Sequence, residues 1–266
     1  MPLHLARRVV LAAALSLGVL PAVAQDDAPV VAAAADLQFA VEEIAAAFEA
    51  ETGQRVRLSF GSTGNFARQI REGAPFEIFM AADEKFIAEL HRDGFTVDEG
   101  DLYAVGRIVL KLPHGSPLQA DGSLDDLAAA LQDGRLEKFA IANPEHAPYG
   151  MRAEEALRAK GLWEAIEPRL VLGENVSQAA AFALSGSTQG GIIALSLALA
   201  PQVAAQGSHA LIPDDLHAPL LQRMVRLRDP GPVADAFYAY MKGETARGIM
   251  RRYGFLLPGE DAEGVL

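Results

Sequence analysis

Apolar and polar positions along this chain switch repeatedly between two periods, and the switches outline its elements. Apolar runs at 30–34, 77–82, 107–112, 139–142 and 191–195 read as strands, and 55–60 alternates as a half-buried strand should. Residues 170–173 and 224–227 are further extended segments. Between them, apolar residues recur at helical spacing over 37–50, 66–70, 124–131, 153–159, 176–184, 233–241 and 245–253. Strands separated by helices predict parallel βαβ units and an α/β fold.

The opening stretch stands outside this pattern. Arg7 and Arg8 form a positive start, residues 9–20 an apolar core, and Ala22-Val23-Ala24 a small-residue cleavage site. The apolar run is too short to span a membrane comfortably, so 1–24 reads as a signal peptide cleaved near Ala24 and the protein as periplasmic. The remaining 240 or so residues lie near the upper limit for one core. A change of character near Tyr103 to Gly106 and another after Gly207 divide them into a first lobe at 25–105, a second at 106–205, and a return crossing with the rest of lobe one at 206–258. Residues 259–266 read as a disordered acidic tail.

Charge and cysteine usage narrow the partners. The formal net charge is −12, and loss of the signal peptide removes two arginines and no acid. Such a balance disfavours nucleic acid and anionic membrane surfaces. There is no cysteine, which excludes disulfides, cysteine-ligated zinc and a lipid anchor on cysteine. Five of the histidines show no metal-ligand spacing, no G-x-S-x-G elbow exists, and Gly61-Ser62-Thr63-Gly64 lacks the Gly-Lys-Ser/Thr ending of a phosphate loop. Catalysis is not expected.

Three loops place small or hydroxyl-bearing residues where a strand hands over to a helix: Ala34-Ala35-Asp36, Gly61-Ser62-Thr63-Gly64 and Asn175-Val176-Ser177. Helix starts carry unpaired N–H groups and partial positive charge, so they are natural anion sites. Taken singly, Ser62, Thr63 and Asn175 are most simply helix caps, and Tyr149 within Pro148-Tyr149-Gly150 is turn packing. Together they lie where open α/β sheets bind ligands, outside the carboxyl ends of strands.

Longer motifs sharpen this reading. Residues 61–70 (GSTGNFARQI), 73–77 (GAPFE), 81–83 (AAD), 143–150 (NPEHAPYG) and 252–255 (RYGF) occur in an order that resembles the periplasmic molybdate-binding proteins of ABC importers, across nearly the whole of 30–258. The resemblance implies a two-lobed type II periplasmic binding protein fold with the ligand cleft between two α/β lobes. It also implies a monomeric receptor that captures a tetrahedral oxyanion, molybdate or tungstate, for an ABC permease, with no cofactor and no direct bond from protein to metal. Sulfate, phosphate or an organic acid is the alternative ligand, and a cleft enzyme a more distant one.

The family's ligand positions carry over to Thr63 (hydroxyl), Val176 (backbone N–H), Asp36 and Tyr149. One branch of the family has a tyrosine in the segment 191–195, where this chain has Ala194; another supplies it from the Pro-x-Gly segment, where this chain has Tyr149. Asp36 departs, because the family presents Ser or Thr-Asn there and a carboxylate facing a dianion is repelled. Two readings remain open: Asp36 caps the helix beginning at Leu37, turned away from the ligand, or it accepts a proton that the ligand carries.

Overall fold

The computed structural model describes residues 28–259. The expected signal peptide and nearly all of the expected tail lie outside them. The chain opens with β1 (Val30–Ala34), a 3-10 turn (Ala35–Leu37), α1 (Gln38–Thr52), β2 (Arg57–Gly61), α2 (Thr63–Arg71), β3 (Ile78–Ala81), α3 (Glu84–Arg92) and β4 (Asp101–Gly106). It continues through β5 (Ile108–Pro113), α4 (Asp125–Asp133), β6 (Phe139–Ala142), α5 (Pro148–Ala159), α6 (Trp163–Ile166), β7 (Leu170–Gly173) and α7 (Val176–Leu184). The last part holds β8 (Gly191–Ala194), α8 (Leu195–Leu199), α9 (Pro201–Ala204), β9 (Gly207–Leu211), β10 (Leu220–Arg226), α10 (Pro232–Tyr240) and α11 (Glu244–Arg252).

These strands form two five-stranded sheets, ordered β2-β1-β3-β10-β4 and β7-β6-β8-β5-β9. Each sheet centres a lobe, and helices flank both. The βαβ units are parallel as their sequence predicts, with β1 beside β2 and β3, and β6 beside β7 and β8. The sheets as wholes are mixed, which the strand–helix alternation does not predict. β10 runs antiparallel to β3 and β4, and β5 antiparallel to β8 and β9. The reason is connectivity: β5 and β10 each enter their sheet from the other lobe, not through a helix of their own.

Only Arg107 separates β4 from β5, so the first crossing is a single residue. Its guanidinium donates to the Gly254 carbonyl at 2.8 and 3.2 Å, tying the crossing to the end of the chain. The return crossing runs between β9 and β10. Gly207–Leu211 pairs with Ile108–Pro113 as the edge of the second sheet, so the second lobe extends past residue 205. This edge strand is mixed in polarity and half-exposed, and it gives no clean alternation to read.

The core explains the closeness of the helices. β1 is entirely valine and alanine, buried from Val31 onward, and small side chains let elements on both faces approach. One apolar cluster runs from β1 and α1 through Tyr103, Tyr149 and Val176 into the second sheet, so the lobes share a continuous core at the cleft. A second cluster, around Phe66, Phe79 and Ile87, covers the other face of the first sheet.

Candidate functional site

The register places the ends of β1 and β2 side by side, with Ala34 opposite Gly61. Both strands turn into helices at the carboxyl edge of the sheet. Across the cleft, α5 follows β6 and α7 follows β7 in the same sense. Helix starts from both lobes therefore converge, with their unpaired N–H groups facing one space. Asp36, Ser62, Thr63, Ala147, Tyr149 and Val176 are among the residues that line it, and no lysine or arginine is. The room it leaves is about 10 Å³, enough for about one water molecule and far below the roughly 300–1,000 Å³ of a pocket for a drug-sized molecule. Only a small ligand suits such a site, and one larger than water needs the lobes to part.

The second loop is built from neutral groups. Ser62 is the N-cap of α2, its Oγ accepting the Asn65 N–H at 3.4 Å. Thr63 follows as the first helical residue and is fully buried. Its Oγ1 accepts the Ala82 N–H at 3.1 Å, which leaves the hydroxyl proton free to donate into the cavity. On the facing lobe, Asn175 caps α7 by accepting the Gln178 N–H at 3.0 Å, as its sequence position predicts. Val176, next in line, has one of the first-turn N–H groups that no helical carbonyl can reach.

The first loop differs. Asp36 does not cap the helix: the N-cap of α1 is Leu37, that of the 3-10 turn is Ala34, and neither makes a side-chain cap bond. Of the two readings open in the sequence, the turned-away cap is therefore ruled out. Asp36 lies inside the 3-10 turn, only 1% exposed, and its carboxyl group points into a polar cluster. Its Oδ2 accepts Gln222 Nε2–H at 2.7 Å and the Tyr149 hydroxyl at 3.0 Å. Gln222 also donates to Tyr149 at 3.0 Å and accepts from the Tyr103 hydroxyl at 2.9 Å. Burial pushes the Asp36 carboxyl up from its ordinary 3.8 to about 6, against the opposing pull of the Gln222 and Tyr149 hydrogen bonds. Burial, reinforced by the charge of Asp36, holds both phenols well above their usual range, so they remain donors.

Tyr149 sits in the first turn of α5, with Pro148 at its start, and not in a free turn. Its single proton goes to Asp36, so in this arrangement the phenol braces the carboxylate. Gly106 makes room for the cluster. A Cβ there would stand 2.3 Å from Tyr149 Oη and 2.6 Å from Gln222 Nε2.

Other bonds hold the lobes together around the cavity. Gly64 N–H donates to the His146 carbonyl at 2.9 Å, and a Cβ at Gly64 would stand 2.7 Å from that oxygen. Ser177 donates to the Ala35 carbonyl at 2.8 Å and Ser196 to the Asp36 carbonyl at 2.7 Å. Arg152 pairs with Asp83 at 2.8 Å, both largely buried, and Asn65 donates to Glu174. Ser62, His146 and Glu174 have the residue types of a hydrolytic triad, with His146 Nδ1 2.9 Å from Ser62 Oγ. Glu174 is 3.7 Å from the other ring nitrogen, beyond hydrogen-bond reach, and Ser62 is occupied as a cap. The trio is a bridge between lobes.

The structure thus brings Asp36, Thr63, Tyr149 and Val176 to one cavity. Gln222, Tyr103 and Ser196 were not singled out from sequence. Gln222 had a readable signal: it occupies a core-facing phase of β10, between buried Leu220 and Met224. A polar side chain at such a position needs a buried partner. Among the described residues, no group of three or more His, Cys, Asp or Glu side chains could hold a metal ion, and no helix is long and apolar enough to cross a membrane.

Residues 29–256 match the family described as bacterial extracellular solute-binding protein. The chain belongs to that family. It is 38% identical over 258 residues to the molybdate-binding protein ModA of Azotobacter vinelandii, covering 96% of this chain and 99% of that one. The ModA of Rhodobacter capsulatus is 37% identical over 241 residues, covering 89% and 90%. Among solved structures, the periplasmic molybdate-binding protein of Azotobacter vinelandii superposes with a TM-score of 0.77 at 30% identity, over 86% of this chain and 99% of that one. The sulfate-binding protein SubI of Mycobacterium tuberculosis superposes with a TM-score of 0.71 at 18% identity, over 90% and 88%, and shares the fold alone. The family's two-lobed architecture, with a cleft between α/β lobes, is the one described above.

Proposed function

We propose that this solute-binding protein is exported to the periplasm, with its signal peptide removed near Ala24. There it captures one tetrahedral oxyanion, molybdate or tungstate, as a monomer and presents it to the permease of an ABC importer. The observation that carries the reading is the cavity itself: small, set between two lobes, lined by helix starts and hydroxyls, and with no lysine or arginine among its lining residues. Neutral donors suit a small anion that accepts many hydrogen bonds, and bonds to a charged acceptor are roughly twice as strong as neutral ones. Full-length similarity to two molybdate-binding proteins narrows the anion class.

In this reading Thr63 donates from its hydroxyl on lobe one and Val176 from its backbone N–H on lobe two. Asp36 meets the anion with Tyr149 braced behind it. All contacts run to oxygen, none to the metal atom, and no further cofactor takes part. Because donors come from both sides, the anion links the lobes and favours closure. Sulfate, phosphate or an organic acid remains the alternative cargo. Titration calorimetry of the secreted protein with molybdate, tungstate, sulfate and phosphate tests the reading. One molybdate or tungstate per chain, bound more tightly than sulfate, is expected. Absence of binding to all four would overturn it.

A further inference from the structure

Asp36 is the one acid in a cavity built for an anion, and its two oxygens have different surroundings. Oδ2 is held by Tyr149 and Gln222. Oδ1 is buried and has no hydrogen-bond partner among the described residues, although its residue lines the cavity. A buried carboxyl oxygen left unpaired is costly, and the remedy available here is a group inside the cavity. An anion's bare oxygen facing a bare carboxylate oxygen is acceptor against acceptor. A proton between them turns that repulsion into a charge-assisted hydrogen bond.

We propose that Asp36 and the bound oxyanion share one proton, held between Asp36 Oδ1 and an oxygen of the anion. This deepens the oxyanion reading above and rests on it. A fully deprotonated anion then binds together with a proton from solution, whereas a monoprotonated anion such as hydrogen phosphate brings its own. Asp36 thereby becomes a specificity-determining residue that ties affinity to pH and widens the ligand class to anions that donate once.

No other group that touches the Asp36 carboxyl is charged; His146 stands farther off, bonded to Ser62 across the cavity. From β10 and β4 it meets Gln222 and, behind it, Tyr103; from α5 it meets Tyr149. α7 and α8 present Ser177 and Ser196 to the carbonyls of the same turn, and α1 presents Gln38, bonded to Ser177. All are neutral, and both phenols are held in their protonated form. Arg107, the nearby cation, is committed to the Gly254 carbonyl. Burial raises the Asp36 carboxyl to about 6, so it can hold a proton at a pH where an ordinary aspartate has lost it.

The test is calorimetry of the secreted protein with sodium molybdate at pH 8, in two buffers of different ionisation enthalpy, and a pH series from 6 to 9. The enthalpy difference between buffers should report uptake of about one proton per molybdate, and affinity should fall about tenfold per pH unit. Asp36→Asn should bind molybdate with no proton uptake and a flat pH profile. Hydrogen phosphate should bind the wild type without proton uptake and lose to molybdate in Asp36→Asn. Wild-type molybdate binding with no proton uptake and a flat profile overturns the shared proton while leaving the oxyanion receptor standing. Absence of binding to any of these anions, in wild type and variant alike, overturns both.

Discussion

The loops after β1 and β2 start from the same place and end in different chemistry. Their parent strands are parallel neighbours in register, and both open helical turns at one cavity. The second loop supplies Thr63, whose oxygen is satisfied by the Ala82 N–H and whose proton is free. The first supplies Asp36, whose one oxygen is clamped by Gln222 and Tyr149 and whose other is unpaired. Backbone geometry alone makes both turns receptive to an anion. On the proposal above, the side chain decides whether the turn binds at any pH or only with a proton: the loop after β2 is a fixed donor and the loop after β1 a titratable one.

The sharpest way to break this comparison is to remove the fixed donor. Thr63→Ala deletes a hydroxyl proposed to meet a charged acceptor, a loss of about 1.5–3 kcal/mol, or roughly tenfold to over a hundredfold in molybdate affinity. It also strands the buried Ala82 N–H, costing about 1–3 kcal/mol of folding stability. Calorimetry and thermal unfolding read the two effects separately. Unchanged affinity with lowered stability would make Thr63 a structural residue only.

A single effect of comparable size comes from the titratable loop without ligand. The folded-state pKa of Asp36 is raised, from 3.8 to about 6. Its contribution to stability is therefore fully present below about pH 4 and is lost as pH rises through about 6, on the order of 2–3 kcal/mol. Urea denaturation of the unliganded wild type across this window should show a steeper decline with rising pH than Asp36→Asn. Parallel declines would mean that the carboxyl is solvated in solution. The smallest effect belongs to Thr63→Ser, which keeps the hydroxyl and removes one methyl. Affinity measured by calorimetry should shift by less than about fivefold, because the oxygen can still accept from Ala82 and donate. A loss as large as in Thr63→Ala would mean that the methyl group's packing, and not the hydroxyl, sets affinity.

The sequence showed the strands and helices that make the cavity better than it showed the residues that wire it. Val30–Ala34 and Phe139–Ala142 begin and end where their apolar patterns do, because each is buried along a nearly unbroken run; Leu170–Gly173 and Val176–Leu184 also match their patterns, although they are only partly buried. β4 and β9 escaped notice since their exposed and buried positions do not alternate cleanly. Asp36 carries a side chain equally suited to a cap and to a buried cluster, and local sequence cannot separate these. Its partners decide the matter, and Tyr149 and Gln222 lie 113 and 186 residues away. Only the second crossing between lobes, by which β10 enters the first sheet, brings Gln222 to it.

The claim at the centre of this account is that one oxyanion sits between the lobes, against donors from both. Crystals of the secreted protein grown with molybdate and measured at the molybdenum absorption edge test it directly. The account predicts one strong anomalous peak per chain in the cavity. Anion oxygens should lie about 2.7–3.2 Å from Thr63 Oγ1, the Val176 nitrogen and Asp36 Oδ1. A peak elsewhere on the molecule, or none in a protein that binds molybdate in solution, would contradict it.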